Sequence, residues 1–182
     1  MRPLFTIHAG EFIVGEFIEK TFPKLNVWIP SKDTGIDLLV TGKKKATPVS
    51  FQVKLSRSYM APQAKDEFDR NLLAGGWLSL SHDKIAKSKA DFWVIALISH
   101  ERKSKPYYII IPPSELLTRF VAIHGKSKHY HFFPWVMKSD IALEGRGLLK
   151  KNKLSLAAGK LALGKRDLTK FLSNWDMLKR MS

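Results

Sequence analysis

The chain has 182 residues, enough for one domain of ordinary size; 45% are hydrophobic and 26% charged, which suits a packed core and excludes wholesale disorder. Lys and Arg number 31 against 16 Asp and Glu, a net charge of +15, which excludes a neutral or anionic surface and points to a polyanion, nucleic acid ahead of an anionic membrane. Cysteine is absent, which excludes disulfides, Cys-held iron–sulfur or zinc sites and thiol catalysis, and fits a reducing cytoplasm.

The opening MRPLFTIHAGEF has no sustained apolar stretch and no small-residue cleavage site, so no secretory leader is expected. A helix is predicted over residues 8–22, where Ile13, Val14, Phe17, Ile18 and Phe22 share one face and Pro23 stops the run. A short strand follows over 26–29, then a hairpin over 36–55. A helical region is predicted over 62–80, interrupted at Gly75-Gly76, and a second short helix over 82–89. Residues 91–99 and 106–111 are near-continuous apolar runs that read as buried central strands, too short to span a bilayer. Ser114 is expected to cap a helix over 115–123. This order implies an α/β fold, a mixed central sheet flanked by helices. Residues 1–135 carry 20 basic and 12 acidic side chains, and residues 136–182 carry 11 and 4. The first segment is therefore expected to be the core, and the second a basic, mostly helical C-terminal extension packed on the same domain.

The hairpin carries the chemistry. Pairing Asp37 with Gln52 sets Ile36 against Val53, Leu38 against Phe51 and Val40 against Val49. Those six apolar residues then share one face, while Asp37, Gln52 and Lys54 gather on the other. A slip of one residue would spoil both sets, so one pattern fixes the register and collects the polar trio. Phosphodiester hydrolysis needs a cation against the phosphate charge and an activated water. A strand-end carboxylate with a second oxygen ligand can hold Mg²⁺, and a nearby ammonium can orient the water or offset developing charge. The plainer alternative is a solvated face with a weak surface ion pair. Glu11 sits at the edge of the apolar face of the first helix, where a carboxylate is costly unless paired or metal-bound; the alternative is a first-turn Glu favoured by the helix dipole. Glu16 falls on the polar side.

Gly10-Glu11 on a helix, then Gly35-Ile36-Asp37-Leu38, Phe51-Gln52-Val53-Lys54 and the strand Ala90-Asp91-Phe92-Trp93-Val94-Ile95 resemble, as an ordered set, the PD-(D/E)XK nuclease superfamily with its restriction endonuclease-like fold. The resemblance covers roughly residues 8–120. It implies that Asp37 and Gln52 bind the metal, helped by the Val53 backbone carbonyl, that Lys54 is catalytic and that Glu11 completes the site. It further implies a Mg²⁺-dependent DNA endonuclease, with Mn²⁺ able to substitute. Ile36 stands where that pattern has Pro, and Gln52 where Glu or Asp is usual. A neutral amide is a poorer Mg²⁺ ligand than a carboxylate, so Glu11 has to provide the second charge; if it does not reach, the scaffold binds nucleic acid without cutting it.

Around this site, Lys43, Lys44 and Lys45 at the hairpin tip, Ser56 and Arg57 beyond Lys54, and Lys150, Lys151 and Lys153 in the basic tail are expected to contact double-stranded DNA, in salt-dependent fashion. Cutting both strands favours a homodimer. His129-Tyr130-His131 puts two imidazoles on one side of a strand near His124, without a third ligand at a telling spacing, so ordinary histidines are expected rather than zinc. Trp28, Trp77, Trp93, Trp135 and Trp175 stand in apolar stretches and are expected in the core. No P-loop, GxGxxG or GxSxG occurs. The remaining alternatives are a non-catalytic nucleic-acid-binding module and a basic scaffold for RNA or an acidic protein.

Overall fold

The computed structural model describes residues 8–32, 34–42, 47–57, 67–99 and 105–182. Helix α1 (Ala9–Thr21) forms where the apolar spacing predicts it, with Val14 and Ile18 fully buried and Glu16 outside, 2.8 Å from Lys20. Strands β1 (Leu25–Trp28), β2 (Leu38–Gly42) and β3 (Val49–Arg57) follow. Next come α2 (Glu67–Asn71), β4 (Leu72–Gly75), β5 (Leu78–Ser81) and α3 (His82–Ala86). Then come β6 (Phe92–Ile98), β7 (Tyr107–Ile111) and α4 (Pro113–His124). The chain closes with β8 (His129–Phe132), β9 (Pro134–Met137), β10 (Ala142–Glu144), α5 (Lys150–Ala157) and α6 (Asp176–Lys179).

The main sheet has the order β1-β2-β3-β6-β7, antiparallel except for the parallel pair β3–β6, so it is a mixed central sheet flanked by helices. The β2–β3 register is Leu38 opposite Phe51 and Val40 opposite Val49, as the two-residue pattern dictates. One sheet face carries Leu38, Val40, Phe51, Val53, Val94 and Ala96 against Val14 and Ile18 of α1. On the other face, Gln52 is level with Trp93, Lys54 with Ile95 and Ser56 with Leu97. There Trp93, Ile95, Ile109 and Ile111 pack beneath Phe120 of α4 and the inner side of a β5–β8 ribbon.

Several sequence expectations are corrected. Residues 67–80 are not one interrupted helix: after the short α2 they form β4 and β5, which pair with β9 and β8. Leu78 and Leu80 alternate with Ser79 and Ser81, a period of two whose inner side reaches the core only through pairing with distant Tyr130 and Phe132. Between the two strands, a Cβ on Gly76 would lie 2.7 Å from Leu97 and 2.9 Å from Ser56, so bare backbone is needed there. Helix α4 starts at Pro113, whose fixed φ suits the first turn, rather than being capped by Ser114. Residues 136–182 hold α5 and α6 but also β10, and the boundary expected at 135 falls inside β9. Trp175 and Leu178 from this segment are buried among Phe17, Phe51 and Tyr108, so it completes the core beneath α1. Trp93, Trp135 and Trp175 are buried as expected, but Trp28 is 56% and Trp77 50% exposed. No helix among the described residues is long and apolar enough to cross a membrane.

Candidate active site

The β2–β3 ladder stops at Leu38 and Phe51, with the Asp37 amide donating to the Phe51 carbonyl at 2.8 Å. The expected Ile36–Val53 pair does not form. Gly35, at φ 82°, turns the chain away through a conformation that disfavours side chains, and Ile36 lines a cleft instead. Past this fork the Val53 N–H has no strand partner on the β2 side. The Asp37 carboxylate takes that place: its Oδ2 accepts from Val53 N at 2.7 Å and also from Gln52 Nε2. An extended residue points its N–H and C=O to the same side, so the Val53 carbonyl also faces the fork.

Glu11 reaches the same place from α1. A Cβ on Gly10 would lie 2.9 Å from the Leu55 Cβ and 3.2 Å from Val53 Cγ1, so only glycine lets the first turn of α1 sit this close to β3. Glu11 is 8% exposed, and its Oε2 accepts the His8 amide at 3.2 Å. The helix-cap role and the site role therefore coincide. Burial pushes the Glu11 carboxyl above its ordinary range and the nearby Asp37 charge acts the same way, while the His8 amide and the charges of His8 and Lys54 pull it down. Lys54 lies on the cleft wall with its ammonium 5.7 Å from the centre of the Trp93 ring. Asp37, Gln52, Val53, Lys54 and Glu11 thus line one open cleft of about 900 Å³.

The cleft offers a divalent cation a donor set of oxygens. Asp37 and Glu11 bring two carboxylates into one cleft, where burial and the Asp37 charge both oppose ionisation of Glu11 and a cation would favour it. The Val53 carbonyl adds an oxygen, and Gln52 adds another once its carboxamide turns Oε1 rather than Nε2 toward Asp37. Hard oxygen donors of this kind suit Mg²⁺, which keeps several waters. Among the described residues no group of three or more His, Cys, Asp or Glu side chains is arranged to hold a metal. A cation bound there would have to draw on amide and main-chain oxygens as well as the two acids.

The other expected contacts divide. Ser56 is buried, and its hydroxyl accepts the Trp77 amide at 3.0 Å and donates to the Trp77 carbonyl at 3.2 Å, so it does not face a phosphate. Lys150 and Lys151 are exposed on α5, outside the cleft. Lys153 lies 5.2 Å over both Phe68 and Trp135, fastening α5 to a third apolar cluster. Lys43, Lys44 and Lys45, and the Arg57 side chain, lie outside the described residues. The cations that do line the cleft beside Lys54 are Lys32, Lys84, Lys87 and Lys89. Sequence reasoning missed all four; for the last three the signal was the K-x-x-K-x-K spacing just before β6. No family model, curated protein or solved structure matches the chain. What it does has to be read from the chemistry of the cleft.

Proposed function

We propose that the chain is a Mg²⁺-dependent DNA endonuclease on a restriction endonuclease-like scaffold. The single observation that carries this reading is the meeting of Asp37, Gln52, Val53 and the buried Glu11 beside Lys54 in one lysine-rimmed cleft. Asp37, Glu11, the Gln52 amide oxygen and the Val53 carbonyl would hold the ion, Mg²⁺ or Mn²⁺. Bound there, it would offset phosphate charge and acidify a coordinated water. The Val53 amide and Gln52 hold one oxygen of Asp37, which fixes the carboxylate before an ion arrives. Glu11, already partly desolvated, provides the second negative charge that Gln52 lacks. Lys54 would orient the attacking water or stabilise charge building on the phosphate oxygens. Lys32, Lys84, Lys87 and Lys89 draw the phosphate backbone to the cleft and make binding fall with salt. The expected result is that plasmid incubated with the chain and Mg²⁺ or Mn²⁺ is nicked or linearised, and that Lys54→Ala abolishes this while DNA binding persists. Intact plasmid under both metals, with Lys54→Ala indistinguishable from the parent, rejects the proposal.

A second reading is a non-catalytic DNA-binding protein. It is favoured by the Gln52 amide nitrogen, not its oxygen, facing Asp37, and by the lack, among the described residues, of a group of three or more His, Cys, Asp or Glu side chains arranged to hold a metal. It predicts salt-sensitive binding that Asp37→Ala leaves unchanged.

A further inference from the structure

Gln52, Lys54 and Ser56 point to the same face of β3, and Ser56 binds the Trp77 backbone from both sides. Trp77 therefore sits two strand residues beyond Lys54, about 7 Å along β3. It is held there firmly, because Gly76 beside it packs on Ser56 and Leu97. Its indole is nonetheless half exposed and stacks nearly parallel on the His131 imidazole, centroids 5.9 Å apart at 14°. One side of the β5–β8 ribbon (Leu78, Leu80, Tyr130, Phe132) is core; the other carries Ser79, Ser81, His129 and His131, with Trp77 at its start. Beyond His131 opens a pocket of about 540 Å³ lined by Lys128, His129, Arg146 and Arg166. Arg166 is clamped by the carbonyls of Glu144 and Arg146 at 3.0 and 2.7 Å, and the buried Nδ1 of His131 has no hydrogen-bond partner among the described residues. A rigid exposed aromatic between a cationic cleft and a cationic pocket matches how proteins hold unpaired nucleic acid: a stacked base with phosphates on either side.

We infer that a single DNA strand leaving the cleft stacks one unpaired base on Trp77 and sets the neighbouring phosphate in the pocket of Lys128, His129, Arg146 and Arg166. The preferred substrate is then DNA with an unpaired strand beside the cut, rather than a plain duplex. This rests on the nuclease reading for where the strand is cut, but the binding itself needs neither metal nor cleavage.

The test uses the full chain in EDTA, with anisotropy of a labelled 12-nucleotide single strand and of a blunt duplex of the same sequence. Trp77→Ala should weaken single-strand binding about tenfold, the contribution of one stacked base, and leave the duplex within about twofold. Trp77→Phe should recover most of the loss, which a merely structural role for the indole would not allow. Arg146→Gln should weaken the single strand in the same sense. Single-strand affinity unmoved by Trp77→Ala, or strand and duplex weakened equally, overturns the assignment. If no metal supports cleavage yet Trp77→Ala selectively loses the single strand, the nuclease reading falls and this one stands. Cleavage with no effect of Trp77 has the opposite meaning.

Discussion

Gly10 and Gly15 lie on the same helix but meet different surroundings, which makes them a paired test of how α1 positions Glu11. A Cβ at Gly15 would find only Val27 Cγ1 at 3.7 Å, an ordinary contact. Gly15→Ala should therefore stabilise the chain by about 0.5–1 kcal/mol, through helix propensity and a less disordered unfolded state. A Cβ at Gly10 would meet the Leu55 Cβ at 2.9 Å and Val53 Cγ1 at 3.2 Å. The first of these is fixed to the backbone of β3 and cannot swing away. The same propensity gain is then opposed by an overpacking cost of about 1–3 kcal/mol. Gly10→Ala should come out between neutral and about 2 kcal/mol destabilising, with Gly10→Val worse. The helix can relieve the clash only by lifting its first turn, which carries Glu11 away from Asp37, so Mn²⁺ affinity should fall as well. Urea unfolding of the Gly10→Ala and Gly15→Ala variants, with titration calorimetry of Mn²⁺ on each, measures both effects. If Gly10→Ala gains as much stability as Gly15→Ala and binds Mn²⁺ like the parent, the close approach of α1 to β3 does not set the site.

Two further outcomes follow from the packing and the charges. Trp175→Ala should cost about 3–5 kcal/mol, because its ring is buried against Phe17, Phe51 and Tyr108; Trp175→Phe should cost far less, since the buried indole N–H has no hydrogen-bond partner among the described residues to lose, and urea midpoints decide. For Glu11, the carboxyl is raised above its reference value of 4.5 in the folded chain. The protonated form is thus favoured by folding: that stabilisation is complete below pH 4.5 and is lost as pH rises through the folded value. Without divalent ions Glu11→Gln should accordingly melt above the parent at neutral pH, the gap closing below pH 4.5, and added Mg²⁺ should raise the parent but not the variant. A variant that melts lower by a constant margin at every pH would leave Glu11 a helix cap alone.

Local period alone accounts for part of this fold. The alternation through Leu38, Val40, Val49, Phe51 and Val53 admits one register, and that register brings Asp37 to Gln52 without knowledge of the rest of the fold. The apolar stripe of α1 and the buried runs of β6 and β7 were legible for the same reason. Other features depend on partners far along the chain. Leu78 and Leu80 become a strand because Tyr130 and Phe132 complete their inner face, and Trp77 is left exposed at the end of that ribbon. Trp175 enters the core from the end of the chain. Lys84, Lys87 and Lys89 reach the cleft only because α3 leads into β6 beside β3, and Glu11 shares that cleft with Asp37 because Gly10 leaves no side chain between α1 and β3. Periodicity tells a side chain which face it occupies; which face it then meets is set by long-range packing, which no short window of sequence encodes.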